Sequence, residues 1–134
     1  MATTEFDLVT PDATLYSGSA EMVVCKSVDG EIAFLADHTP YIGALDPCVV
    51  RVVGPAEGSD EVRVAVRSGF VEVKDNKVIM LADVALRPDQ IDVAAVTLEE
   101  TEATQKAAAA PEPNASVDRE VKWAQARLEL ARSA

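Results

Sequence analysis

Residues 61–82 read Glu61-Val-Arg-Val-Ala-Val-Arg67, then Ser68, Gly69-Phe-Val-Glu-Val-Lys74, Asp75-Asn76 and Lys77-Val-Ile-Met-Leu-Ala82. In the first run Val62, Val64 and Val66 fall on one side and Arg63 and Arg67 on the other, the alternation of a strand with one buried face. The next two runs are joined by Asp75-Asn76, turn-forming residues, and read as a hairpin. The pattern extends towards the amino end. Glu21-Met-Val-Val-Cys-Lys26, Glu31-Ile-Ala-Phe-Leu35 and Cys48-Val-Val-Arg-Val-Val53 are further short runs, separated by Asp29-Gly30, by residues 37–40 and by residues 54–58. Short strands at this spacing predict an antiparallel sandwich or barrel from Phe6 to about Leu86.

After Pro88 the β-branched residues thin out and alanine, glutamate and lysine take over, which favours helix. A first helix is expected from about Asp92 to Ala109, ending at Ala110-Pro-Glu-Pro-Asn because proline cannot continue it. A second begins after Ser116, a candidate N-cap, with Asp118 and Glu120 in its first turn and Arg127 and Arg132 towards its end, as the helix dipole favours. Val117, Val121, Ala124, Leu128 and Ala131 share one stripe, which would pack on the first helix. Trp123, Ala126 and Leu130 form a second apolar side. Either the sheet or another protein covers it. The fold class is thus α+β: an N-terminal antiparallel β-sandwich at residues 1–86 and a C-terminal α-helical hairpin at 87–134.

The 134 residues carry 12 Lys+Arg against 23 Asp+Glu, a formal charge of −11, which argues against nucleic acid as a partner. Residues 1–86 hold 14 acids and 6 bases, while residues 116–134 have a net charge of +1, so the last helix is mildly cationic on an acidic protein. No apolar run approaches the ~20 residues of a membrane span and the amino end lacks a signal-peptide pattern, so a soluble protein made inside the cell is expected. Cys25 and Cys48 lie within apolar segments, without metal-site spacing, and read as buried free thiols. His38 is the single histidine. It stands in Asp37-His38-Thr39-Pro40 and reads as a turn or interface residue rather than a catalytic base. No phosphate-cradling glycine motif and no nucleophile elbow is present.

Four segments, in order, resemble the epsilon subunit of bacterial F-type ATP synthases. Phe6-Asp-Leu-Val-Thr-Pro-Asp-Ala-Thr-Leu-Tyr16 followed by Gly18 is similar to the family's opening strand and turn. Gly30-Glu-Ile-Ala-Phe-Leu-Ala-Asp-His-Thr-Pro-Tyr-Ile-Gly-Ala-Leu45, the most specific, looks like Gly-Glu-Ile-Gly-x-Leu-x-x-His-x-Pro-x-x-x-x-Leu. Val49-Val-Arg-Val follows. Val66-Arg-Ser-Gly-Phe-Val-Glu-Val-Lys-Asp-Asn-Lys-Val-Ile-Met-Leu-Ala-Asp83 then matches nearly position for position.

The resemblance implies a non-catalytic central-stalk (rotor) subunit of a proton-translocating ATP synthase, coupling rotation to ATP synthesis. Its sandwich would bind the gamma subunit and the c-ring, with Gly30, Glu31, His38 and Pro40 at that interface. Its hairpin would be mobile, lying on the sandwich or extending into the catalytic head. There Arg119, Lys122, Trp123 and Arg127 would contact the alpha and beta subunits and inhibit ATP hydrolysis. The resemblance places such a protein on the cytoplasmic face of the bacterial plasma membrane, peripheral and held through the complex. No catalytic residue, metal or cofactor is expected.

The chain departs from the family in places. Ala33 and Cys48 stand where glycine is usual, and Ser68 precedes Gly69 where a second glycine is common; small residues are kept, so strand packing should survive. Some members bind ATP through Ile-Asp-x-x-Arg-Ala opening the first helix plus arginines on the second. Here Ile91-Asp92-Val93-Ala94-Ala95 puts Ala95 at the arginine, Arg127 occupies one arginine position of the second helix and Trp123 another. Without that guanidinium ATP binding should be weak or absent, with Ile91, Asp92 and Arg127 as its remnant. The alternative, a free-standing nucleotide-sensing or small-ligand module whose hairpin closes on its ligand, is disfavoured by the same Ala95.

Overall fold

The computed structural model describes residues 2–55 and 61–133. Ten strands form one folded-over sheet: β1 (Thr4–Val9), β2 (Thr14–Ala20), β3 (Met22–Ser27), β4 (Gly30–Leu35), β5 (Tyr41–Leu45), β6 (Cys48–Val53), β7 (Val62–Val66), β8 (Gly69–Lys74), β9 (Lys77–Ala82) and β10 (Ala85–Leu86). One layer runs β10-β7-β6-β3 with β4 on the far side of β3; the other runs β5-β8-β9-β1-β2. The Ser27–Leu45 pair between β3 and β5 joins them. All ladders are antiparallel except β1 on β9, which is parallel. Part of the turn expected at residues 54–58 lies outside the described residues.

The alternation seen in the sequence sets the core. Phe6, Leu8, Val23, Phe34, Val50, Val52, Val64, Val66, Val71, Val78 and Met80 point between the layers and are fully buried. The hairpin joining β8 and β9 turns at Asp75 (φ 52°) and Asn76 (φ 58°), the two left-handed residues of a tight hairpin turn. Asn76 also clamps that end of the sandwich. Its Oδ1 accepts from the Asp37 N–H at 2.8 Å, its Nδ2 donates to Thr3 O at 3.0 Å, and its carbonyl accepts from Thr4 Oγ1 at 2.9 Å. Arg51 and Arg63 face each other across β6 and β7, an arrangement of like charges that would be destabilising alone. Glu61 bonds both, and the hydrogen bond from Arg51 above all holds its carboxyl below the usual range.

Strand β5 interrupts the alternation because Gly43 and Ala44 are small. A side chain at Gly43 would collide with the Tyr41 ring, so the glycine serves packing. Gly69, at φ 148°, begins β8 against the backbone of β9, and a Cβ there would strike Leu81 O and Ala82 Cα. Only glycine fits this approach.

The chain leaves the sheet through a short helical turn at Pro88–Gln90 and enters α1 (Val93–Ala109) and α2 (Ala115–Ser133). Asp92 caps α1, its Oδ1 accepting from the Ala95 N–H at 3.2 Å. The cap of α2 is Asn114 rather than Ser116: Asn114 Oδ1 accepts from the Ser116 and Val117 N–H groups at 3.0 and 3.2 Å. Asn is as good a cap as Ser, and Asn114 Oδ1 satisfies two N–H groups of the first turn. Among the described residues no helix is long and apolar enough to cross a membrane.

Helix α2 lies between α1 and the β6–β7 layer of the sandwich. Ala124 and Leu128 bury against Val96 of α1 with Ile91 beside them. Ala126 (5% exposed) and Leu130 (1%) lie on the side that meets β6 and β7. The run Val64-Ala65-Val66 records this contact, being buried at three successive positions, which requires cover on both faces of the strand. The sheet therefore covers Ala126 and Leu130 of the second apolar side, whereas Trp123, expected on the same side, turns to the cleft with α1 beside Arg127.

Candidate functional site

The two outer faces of the sandwich differ. Helix α2 lies on the β6–β7 side. On the other layer Ala44, Phe70, Leu81 and Val9 stand in one cross-strand row, with Ile42 and Ile79 in the next row. Ile42 is 73% exposed, Phe70 62% and Leu81 56%. Asp7 and Lys77, paired at 3.3 Å, are also on this face. An apolar row across four strands with a polar rim has the make-up of a protein-docking surface. Sequence reasoning missed it, although Phe70 falls on the same side of β8 as Glu72 and Lys74, an apolar residue on the polar face of a half-buried strand.

The residues expected at the rotor interface do not form one cluster. Gly30 and Glu31 open β4 at one end of the sandwich, whereas His38 and Pro40 follow its other end, about 17 Å away along the strand. Gly30 is exposed, with φ 122°, directly after the Val28-Asp29 turn between β3 and β4. His38 sits in a turn with its N–H donating to Leu35 O at 3.2 Å and its Nδ1 2.7 Å from Thr39 O. Its ring meets Phe34 edge-on at 5.0 Å. These contacts are those of a turn residue.

The basic residues of α2 separate. Lys122 pairs with Asp46 of the sandwich at 2.8 Å, tying the helix to the loop between β5 and β6. Arg119 is exposed. Arg127 turns inward towards α1, pairs with Glu99 at 2.5 Å, and lies 4.8 Å from the centroid of the Trp123 ring. Of the three residues expected as a nucleotide-binding remnant, Ile91 packs on the helices, Asp92 caps α1 and Arg127 is held by Glu99. The structure does not converge them on one point. Asp46 and Glu99, the acidic partners of Lys122 and Arg127, carry no local signal because each meets its base across the fold.

Cys25 and Cys48 are free and buried. Burial pushes the Cys25 thiol up to about 12 and Cys48 to about 11, in the latter against the Lys26 N–H that bonds its Sγ at 3.4 Å. Both are protonated packing residues at neutral pH. Cys48 stands in the β6–β7 ladder opposite Val66.

Residues 3–88 match the family described as ATP synthase, Delta/Epsilon chain, beta-sandwich domain. The ATP synthase epsilon chain of Shouchella clausii is 47% identical over 96 residues, covering 69% of this chain and 67% of the relative. That of Brevibacillus brevis is 42% identical over 87 residues, covering 65% and 64%. With the epsilon chain of Laribacter hongkongensis the match extends to 131 residues at 37% identity, 98% of this chain and 89% of the relative. This chain thus spans about two thirds of the length of the first two relatives. A chain from the cryo-EM structure of Euglena gracilis mitochondrial ATP synthase, OSCP/F1/c-ring, has a TM-score of 0.74 at 21% identity, covering 99% of this chain and 81% of that one. This likeness shows the shared fold.

The chain belongs to the ATP synthase delta/epsilon family. Within it, the chain is of the epsilon type, a non-catalytic subunit of the ATP synthase complex.

Proposed function

We propose that this chain is a central-stalk subunit of a bacterial proton-translocating ATP synthase, with a rotor-binding sandwich at residues 1–86 and a regulatory hairpin at 87–134. One observation carries the reading: the helices cover one outer face of the sandwich, and the opposite face presents Ile42, Phe70 and Leu81 uncovered. A chain of net charge −11 has little tendency to pair this face with a second copy of itself, so a different, less acidic chain is its occupant. The gamma subunit takes that place. Gly30 and Glu31 at one end, and His38 and Pro40 at the other, are proposed as further contacts with gamma and the c-ring. Attachment through the complex puts the chain at the cytoplasmic face of the plasma membrane.

The hairpin is proposed to restrain ATP hydrolysis when it leaves the sandwich, which would free Lys122 from Asp46 and present it with Arg119 to the alpha and beta subunits, followed by Trp123 and Arg127 once the helices part. Lys122–Asp46 is an ion pair between α2 and the sandwich, and Ala126 and Leu130 are the buried apolar groups on that side of the helix. A contact this small supports reversible docking.

The test is reconstitution of the tagged chain onto ATP synthase stripped of its own epsilon chain, reading capture of gamma. Wild type should capture gamma together with the catalytic subunits, and Phe70→Glu should weaken capture at least about tenfold, since a buried unpaired carboxylate costs more than 1.4 kcal/mol. Undiminished capture by folded Phe70→Glu and Leu81→Glu chains would remove this face from the interface. Absence of gamma from the wild-type capture would favour a free-standing module.

A further inference from the structure

ATP is the ligand that the family resemblance suggests for the cleft between α1 and α2, and the residues there do not fit it. The cleft encloses about 250 Å³, below the roughly 300–1,000 Å³ of pockets that enclose a drug-sized ligand. Its charged lining is Glu99, Glu102 and Glu120 against Lys106 and Arg127, an excess of one negative charge where a polyphosphate needs the opposite. Lys106 lies 3.9 Å from Glu120. Arg127, whose side chain is 11% exposed, is already engaged by Glu99 on its Nη2, by the Trp123 carbonyl 3.4 Å from its Nε, and by the Trp123 ring alongside. Ala95, where an arginine would add charge, is exposed, and its N–H is used by the Asp92 cap.

A guanidinium this enclosed needs a counter-anion, because burying it unpaired is costly, and the carboxylate that meets it belongs to a side chain still 52% exposed. The facing helix supplies one. We propose that Glu99 is a built-in anion: it takes the position on Arg127 that a phosphate group would need, holds α1 and α2 together without an external ligand, and keeps phosphate-bearing molecules out of the cleft. The closed hairpin is then the resting state of the chain whatever the nucleotide level. This concerns contacts within one chain and stands or falls separately from the rotor reading.

The test uses the full chain. Trp123 is its single tryptophan and lines the cleft, so intrinsic fluorescence reports on the site directly. Inorganic tripolyphosphate is titrated into wild type, Glu99→Gln and Glu99→Gln/Arg127→Gln. Glu99→Gln should bind it at least about tenfold tighter than wild type, the usual worth of a charge-assisted hydrogen bond, and the double variant should lose that gain. Equal affinity of wild type and Glu99→Gln, including no binding by either, overturns the proposal, as does a gain that survives in the double variant. Should Glu99→Gln instead lose helix signal, the charge-swapped Glu99→Arg/Arg127→Glu chain must regain it. Failure to regain it overturns the proposal equally.

Discussion

Leu130→Ala is the substitution that separates the hairpin from the sandwich. Leu130 is 1% exposed on the side of α2 that meets β6 and β7, one turn beyond Ala126 and two beyond Lys122 with its bond to Asp46. Truncating a buried leucine costs about 2–5 kcal/mol, the spread reflecting how far the surroundings collapse into the space left. The lower end applies, because Leu130 lies near the carboxy-terminal end of α2, where the helix can shift. A loss of about 2 kcal/mol corresponds to roughly thirtyfold in an opening equilibrium. Amide hydrogen exchange read residue by residue on the full chain is the assay. Protection across α2 should fall by about that factor, with α1 following because it packs on α2, while the amides of Val50, Val64 and Val71 keep theirs. The reasoning is refuted if those strand amides lose protection by the same factor, since hairpin and sandwich would then open as one unit. It is refuted equally if α2 is unaffected.

Two further outcomes follow from individual residues. Gly69→Ala should destabilise the chain by at least about 2 kcal/mol in denaturant unfolding, because the methyl group meets the backbone of β9 and the residue holds a left-handed φ. Asp83 is a pH-dependent element: burial works to raise its carboxyl, but hydrogen bonds from the Ser68 N–H, Arg67 and the Val84 N–H overcome this and hold it below the ordinary value of 3.8. A depressed folded-state value means that its contribution is complete above about pH 4 and is lost as the pH falls through the folded value, so Asp83→Asn should be less stable than wild type at pH 7 and converge with it under acid. Parallel acid limbs in pH-resolved urea melts would contradict this.

The strands were legible where one face is buried. β7, β8 and β9 are found within a residue of the expected runs because the valines of residues 62–66, 71–73 and 78 alternate with polar groups, and Asp75-Asn76 specifies the turn. β5 was not legible, since Gly43 is there to admit the Tyr41 ring, a requirement set by a neighbouring side chain's position. The helices were legible from composition and capping. The cap of α2 is Asn114 rather than Ser116, because either side-chain oxygen can accept and local sequence does not rank two good capping residues two positions apart.

What the sequence by itself determined is the local part: alternation of period two, the helical stripes, the turn residues, the caps and the overall acidity. Each depends on neighbours a few residues away, where backbone geometry converts spacing into a face. It also exposed the two-sided character of α2 while leaving the cover of its second side open. Only the tertiary structure decided that the sheet covers Ala126 and Leu130 of that side and that Lys122 meets Asp46. The structure likewise showed that Arg127 is neutralised by Glu99 and that Ile42, Phe70 and Leu81 line up on the bare face. Those facts are register and docking relations between segments up to 76 residues apart, and the pairing of two such segments is fixed by the packing of everything between them.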